Sequence, residues 1–192
     1  MKIVPALLGA CLVLTACSGT PAAGPPSASP SPAESIPSSP AADPAAVRWM
    51  DGFCAAVHGY RERTNREADP AKPTPSTVAE AQKALSAELD GIAVRTGEVV
   101  GKLTALPPGP VPLAETVRKA FVTKYTKAHD RAAEAKTALD RAKPGNEASQ
   151  SPAAKALDQA QQDVDGTYDP VGAVTASPEL MLAAATAPGC KA

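Results

Sequence analysis

The stretch LSAELDGIAVRTGEVVGKLTAL, residues 85–106, decides the fold of this chain. Its apolar side chains recur at alternating steps of four and three, which places them along one side of an α-helix and is typical of antiparallel bundles and coiled coils. A long helix with one apolar side needs partner helices, so the sequence predicts an all-α fold. The members of this seam are Leu85, Leu89, Ile92, Thr96, Val99, Leu103 and Leu106, among which Thr96 is the polar member.

Proline and glycine mark where this helix ends and where the next one begins. The long helix is predicted from about Ser76 to Leu106, and Pro107-Pro108-Gly109-Pro110 stops it. A second long helix is predicted from about Pro112 to Ala142, and the short turn between the two makes them antiparallel neighbours. The seam of this second long helix consists of Val117, Phe121, Tyr125, Ala128, Ala132, Ala135 and Leu139.

Three further helices complete the predicted bundle. Asp43 is a good N-cap and Pro44 suits a first helical position, so the first helix is predicted from there into residues 61–63. Another helix begins near Pro152, after a loop that reaches residue 151, and a short last helix begins after Ser177 and runs to 187. Residues 171–175 are either a loop or the start of the last helix. The fold class is an antiparallel bundle of four to five helices with two long central helices.

Aromatic residues make up only 3 % of the chain and are concentrated on the first predicted helix. Core packing explains this stripe most simply. The alternative is a ligand-binding stripe, and the candidate ligand or partner surface consists of Trp49, Phe53, Tyr60, Phe121 and Tyr125.

The N-terminus has the composition of a secretory signal. Met1-Lys2 is followed by an apolar run over residues 3–14 that is too short to cross a bilayer, since a spanning helix needs about 20 apolar residues. The sequence predicts a signal peptide over residues 1–16. Leu14-Thr15-Ala16-Cys17 resembles the lipobox of bacterial lipoproteins, which implies a diacylglyceryl (palmitate-type) modification of Cys17. The alternative is an ordinary signal peptide cleaved nearby.

Residues 17–43 follow as the lipidated cysteine and a linker rich in Pro, Ser and Ala. Such a stretch cannot bury enough apolar surface to offset its ordering entropy, so a disordered tether is predicted. It is a simple spacer or an O-glycosylated stalk. The folded domain is predicted over residues 44–192.

Four cysteines give one candidate disulfide. Cys11 leaves with the signal peptide and Cys17 takes lipid, so Cys54 and Cys190 remain as one pair in an exported protein. A bridge between them would close almost the whole domain. Two alternatives stay open: two free thiols, or Cys54 as a metal ligand together with His58, which lies four residues further along the same helix.

Composition and motifs exclude several classes of function. The formal net charge of −1 gives no general attraction to nucleic acid. The chain lacks a His-Glu-x-x-His pair, a Gly-x-Ser-x-Gly turn and a glycine-rich phosphate loop. We therefore predict no enzymatic activity, no catalytic residues, no cofactor, no bound metal and no nucleic-acid partner.

Three features together resemble one group of proteins. They are the helix that carries Trp49 and Cys54, the long helix that ends in Leu106-Pro107-Pro108-Gly109, and the tail Ala187-Pro188-Gly189-Cys190. The chain resembles small, uncharacterised lipoproteins of high-GC Gram-positive (actinobacterial) bacteria. The resemblance implies an α-helical envelope domain with an N- to C-terminal disulfide, and it carries no known activity.

These observations predict a lipoprotein anchored through Cys17 at the extracytoplasmic face of the cell membrane. Two functions are predicted, and the first is preferred over the second. The first is a structural or interaction module that docks on another envelope component, which predicts an exposed apolar strip. The second is a carrier for a small apolar molecule or lipid, which predicts an internal pocket of at least about 300 Å³ beside the aromatic residues.

Overall fold

The computed structural model describes residues 41–68 and 74–191, and these residues form helices and turns without a β-strand. The all-α prediction is confirmed. The predicted signal peptide, Cys17 and the linker up to residue 40 lie outside the described residues. Residues 41–68 and 74–191 contain five α-helices: α1 (Pro44–Glu67), α2 (Val78–Thr104), α3 (Pro112–Arg141), α4 (Gln150–Asp163) and α5 (Pro178–Thr186).

Polar side chains cap α1 and α2 near the predicted positions. The Asp43 carboxylate accepts a hydrogen bond from the amide of Ala45 at 3.2 Å and starts α1. Thr77 starts α2 in a capping box: its hydroxyl accepts from the amide of Glu80, and the Glu80 carboxylate accepts from the amide of Thr77. These bonds satisfy amides that have no partner inside the helix, so α2 begins at Val78, slightly later than the spacing predicts.

The stretch before α4 differs from the prediction of a loop up to residue 151. Glu147–Ser149 form a 3₁₀ turn that runs directly into α4, which begins at Gln150. The Asn146 side chain accepts a hydrogen bond from the amide of Ala148 at 3.2 Å and so caps this turn. A second 3₁₀ turn, Gly172–Val174, lies in the segment that the sequence predicts as either a loop or the start of the last helix.

The helices pack as an antiparallel bundle around the hairpin of α2 and α3, the pair with the most extensive contact. Helix α1 runs antiparallel to α2, because the backbone of Gly52 lies against the Leu106 side chain while Arg63 pairs with Glu98 further along. Helix α4 runs antiparallel to α3, because Asp163 pairs with Lys127 while Gln159, one turn earlier on α4, accepts a hydrogen bond from Arg131, one turn later on α3.

The predicted seams form the core. Thr96, the polar member of the α2 seam, is fully buried and donates a hydrogen bond to the carbonyl oxygen of Ile92 at 2.7 Å, so its hydroxyl is satisfied within its own helix. Leu85 and Leu106, at the two ends of the α2 seam, are only partly buried. The buried members of the two seams are Leu89, Ile92, Thr96, Val99, Leu103, Val117, Phe121, Tyr125, Ala128, Ala132 and Leu139.

The C-terminal segment packs on the outer side of α1. Helix α5 is followed by a 3₁₀ turn, Pro188–Cys190, and both contact α1. Cys190 is bonded to Cys54 with an S–S distance of 1.98 Å, so the predicted disulfide is confirmed. His58 is not a metal ligand beside Cys54; its Nδ1 donates to the carbonyl oxygen of Gly189 at 2.9 Å.

Candidate functional site

The five aromatic candidates lie in the interior of the bundle, which corrects their assignment to a ligand or partner surface. Each exposes 6 % of its area or less. The rings of Trp49 and Phe53 stack with centroids 5.0 Å apart, Phe53 contacts Phe121 at 5.0 Å, and Tyr60 meets Tyr125 edge-on at 5.3 Å. These rings contact one another in the region where the carrier hypothesis places its pocket. Burial of large apolar area, rather than recognition, explains their concentration on α1 and α3.

Three polar side-chain atoms lie in or beside this aromatic core. The hydroxyls of Tyr125 and Thr167 are hydrogen-bonded at 3.0 Å, and burial raises the pKa of Tyr125. The indole Nε1 of Trp49 is buried without an acceptor among the described residues. Among the described residues, the Tyr125 hydroxyl has one hydrogen-bond partner, Thr167 from the segment after α4.

A surface groove lies where the end of α1 meets α2 and α4, and we call it the α1/α2/α4 groove. Its volume is about 390 Å³ and it is partly open to solvent. Small or aliphatic side chains form much of its wall, with Ile92 at 4 % exposure. Its lining consists of Thr64 and Glu67 from α1, Ala68 directly after α1, Ala84, Ala87, Glu88, Gly91, Ile92 and Arg95 from α2, and Leu157 and Gln161 from α4.

One end of the groove is polar. Arg95 pairs with Glu67 through Nη1, and Glu67 also lies 3.6 Å from Arg63, which pairs with Glu98. The Arg95 side chain is only 11 % exposed, and burial lowers the pKa of its guanidinium. The hydrogen bond from Arg63 lowers the pKa of Glu98. These ion pairs connect the last turns of α1 to the middle of α2.

Gly91 makes room for the Arg95 guanidinium. A Cβ atom at Gly91 would lie 2.9 Å from Nη1 of Arg95, closer than real Cβ contacts allow. The Nε atom of Arg95 is buried and has no hydrogen-bond partner among the described residues. A buried donor without an acceptor is costly, by about 1–3 kcal/mol for a neutral group and more for a charged one.

The groove is not predicted by the sequence. The sequence pattern that corresponds to the groove is a row of small residues on α2 beside the apolar seam. This row consists of Ala84, Ala87 and Gly91, which are separated by three and four residues. Small residues at such spacing are compatible with either a close helix contact or an uncovered face. Only the positions of α1 and α4 distinguish these two outcomes.

The described residues contain no group of three His, Cys, Asp or Glu side chains arranged to hold a metal ion. Within the same residues, no helix has both the length and the apolar character needed to cross a bilayer. No protein-family model, curated protein or solved structure matches the chain.

Proposed function

We propose that this protein is a lipoprotein held at the extracytoplasmic face of the cell membrane by lipid on Cys17, and that its helical domain docks on another envelope protein. The location is supported by the lipobox-like sequence and by the Cys54–Cys190 disulfide, because stable disulfides are found mainly in exported proteins.

The docking proposal is supported mainly by the face of α2 that remains uncovered in the α1/α2/α4 groove. Ala87 is exposed there, Gly91 is half-buried, and Ile92 lies beneath them. Small side chains allow another chain to approach the helix backbone closely, and charges at the edge of the groove surround this apolar floor in the way that a polar rim surrounds an interface core. The large exposed apolar residues Val78, Val94, Tyr168 and Leu182 are spread over three parts of the described chain and offer no comparable site.

Anchoring is tested by intact mass and membrane fractionation of the expressed protein. The expected result is a mature chain that begins at Cys17, carries acyl groups and sediments with membranes, while a Cys17→Ser variant is released. A chain of unmodified mass that stays soluble contradicts the anchor and leaves the question of docking open.

Docking is tested with a photo-crosslinking amino acid at Ala87 in living cells, with the same substitution at Ala185 as the matched control. Both are exposed helical alanines, but only Ala87 lines the groove. A discrete protein adduct from position 87 that is absent from position 185 supports docking. The same adduct from both positions, or none from position 87, contradicts it.

One observation favours the alternative function, binding of a small apolar molecule or lipid. The volume of the groove, about 390 Å³, falls within the range of ligand pockets, although it lies away from the aromatic residues. Solvent extraction of the purified protein followed by mass spectrometry separates the two functions. A small molecule recovered in near-stoichiometric amount, without a crosslinked protein, favours the carrier.

A further inference from the structure

The turn between α2 and α3 presents an uncharged surface at one end of the bundle. Residues 103–114 contain no charged side chain, and Ala105, Pro107 and Pro108 are exposed. Each residue from 105 to 110 either is a proline, which has no N–H group, or donates its N–H to an acceptor within the protein. Because an unpaired donor is costly to remove from water, this turn costs less to move into a less polar phase than an ordinary loop.

The first turns of α3 hold this turn in place. The amide of Gly109 donates to the Glu115 carboxylate at 2.5 Å. Arg118 donates from Nη1 to the carbonyl oxygen of Leu106 at 3.2 Å and from Nη2 to Glu115 at 2.5 Å. The exposed prolines are therefore fixed before any contact forms, so that little conformational entropy is lost on binding.

Basic side chains flank the uncharged turn. Lys102, near the end of α2, and Lys119, on α3, are exposed. Glu115 is the one carboxylate within residues 102–119, and it is paired with Arg118. Three cations and one carboxylate give this stretch an excess of positive charge, which suits a surface of negative charge.

The chain enters the domain at this same end. Helix α1 starts at Pro44 and runs antiparallel to α2, and the backbone of Gly52 lies against the Leu106 side chain. Residues 44–51 therefore extend from that contact towards the end of the bundle that carries the α2–α3 turn. The predicted tether before Pro44 contains only two charged residues after Cys17, Glu34 and Asp43.

We propose that the α2–α3 turn, residues 103–114, faces the membrane and binds an anionic phospholipid surface. Lys102 and Lys119 attract the headgroup phosphates, while the exposed prolines lie among the headgroups. A basic residue near such a surface contributes only about 1 kcal/mol, but a tether raises the effective concentration to about the millimolar range, so that weak contacts suffice. This inference rests on the proposed anchor through Cys17.

The proposed membrane contact leaves the α1/α2/α4 groove free for a protein partner. Ala87, which lines the groove, and Thr104, beside the turn, are separated by about 25 Å along α2 at 1.5 Å per residue. The two surfaces therefore bind their partners without overlap.

Lipid contact is tested on the mature chain, residues 17–192, coupled through the thiol of Cys17 to a maleimide-bearing lipid in vesicles. Cys54 and Cys190 are bonded to each other and do not react. A photo-crosslinking amino acid replaces Ala105 or, as the matched position, Ala148, an exposed alanine beyond the far end of α3. In vesicles of equal parts phosphatidylcholine and phosphatidylglycerol, position 105 is expected to give several-fold more lipid adduct than position 148.

The contribution of charge is tested with two lysine variants. Lys119→Gln removes a cation beside the turn, and Lys155→Gln, at an exposed position of α4, is the matched control. Lys119→Gln is expected to lower the ratio of adduct at position 105 to adduct at position 148 by up to about fivefold, which corresponds to about 1 kcal/mol. Lys155→Gln is expected to leave this ratio unchanged, and vesicles of pure phosphatidylcholine are expected to lower it.

Equal adduct yields at positions 105 and 148, the same ratio on neutral and anionic vesicles, or equal effects of Lys119→Gln and Lys155→Gln would each overturn the proposal. Both lysines are exposed, so neither substitution endangers folding. Because the attachment to lipid is chemical, the result does not depend on whether the cell acylates Cys17, which intact mass and fractionation test. Failure of the lipid contact and failure of the anchor are therefore seen separately.

Discussion

Cys54, in the middle of α1, is bonded to Cys190, the last residue of the turn after α5, across a sequence separation of 136 residues. Two hydrogen bonds act beside this disulfide. The Asp51 carboxylate accepts from the amide of Gly189 at 2.6 Å, and His58 donates to the carbonyl oxygen of the same residue. The C-terminal turn is thereby fixed against α1 at three points within about two helical turns.

Removal of the disulfide is expected to destabilise the domain strongly. Closing so long a loop in the unfolded chain is worth about 5 kcal/mol in the chain-entropy model, and the double variant Cys54→Ala/Cys190→Ala loses this contribution. The measurement is urea unfolding followed by circular dichroism, with the reduced wild-type protein for comparison. An unchanged urea midpoint in the double variant would show that α5 and the two hydrogen bonds hold the C-terminus without help.

Gly189→Ala is expected to lower the free energy of unfolding by about 1–3 kcal/mol, the usual cost of overpacking. An added Cβ would lie 2.5 Å from the carbonyl oxygen of Asp51 and 3.1 Å from the Cβ of Ala55, and the backbone of α1 cannot move away easily. Gly101→Ala is the control and is expected to stabilise α2 by up to about 1 kcal/mol. Equal shifts in the two variants would contradict the close contact at Gly189.

Thr167→Val is expected to cost about 1–3 kcal/mol, because it leaves the buried hydroxyl of Tyr125 without its partner. Tyr125→Phe removes the other half of the same hydrogen bond. In the double variant no polar atom of the pair remains, so its loss is expected to be smaller than the sum of the two single losses. Strict additivity in urea unfolding would show that the two hydroxyls are not coupled.

Asp163 is expected to make stability depend on pH in the acid range. Burial raises the pKa of its carboxyl, but the hydrogen bonds from Lys127 and Arg131, each 2.7 Å long, outweigh this effect and leave the pKa below its usual value. A carboxyl with a lowered folded-state pKa stabilises the protein above its unfolded-state pKa, and this contribution is lost as the pH falls through the folded-state value.

Asp163→Asn is therefore expected to reduce the free energy of unfolding at pH 7 by about 2 kcal/mol, the scale of hydrogen bonds to charged groups. The difference from wild type should shrink as the pH is lowered below about 4. Asp158→Asn, at an exposed position of the same helix, is the control and should change little. A difference that stays constant from pH 7 to pH 3 would contradict the ionic origin.

The sequence by itself determined the fold class and the buried side of the long helices, and it predicted the disulfide. Leu89, Ile92, Thr96, Val99 and Leu103 repeat at helical spacing, and this spacing alone shows which side of α2 must be buried. Asp43 and Ser177 start their helices by local hydrogen bonds that need no distant residue. The pairing of Cys54 with Cys190 followed from the exclusion of the other two cysteines, and it agrees with the structure.

Only the tertiary structure decided which surfaces are left uncovered. The aromatic stripe on α1 has the same pattern whether α3 covers it or not, and the contact of Phe53 with Phe121 shows that α3 does. Conversely, Ala87 and Gly91 have a spacing that suits close helix packing, yet they line an open groove. The spacing of apolar residues shows on which side of its own helix a side chain lies. It does not record where a neighbouring helix ends, and the positions of α1 and α4 are set by contacts between residues far apart in the sequence.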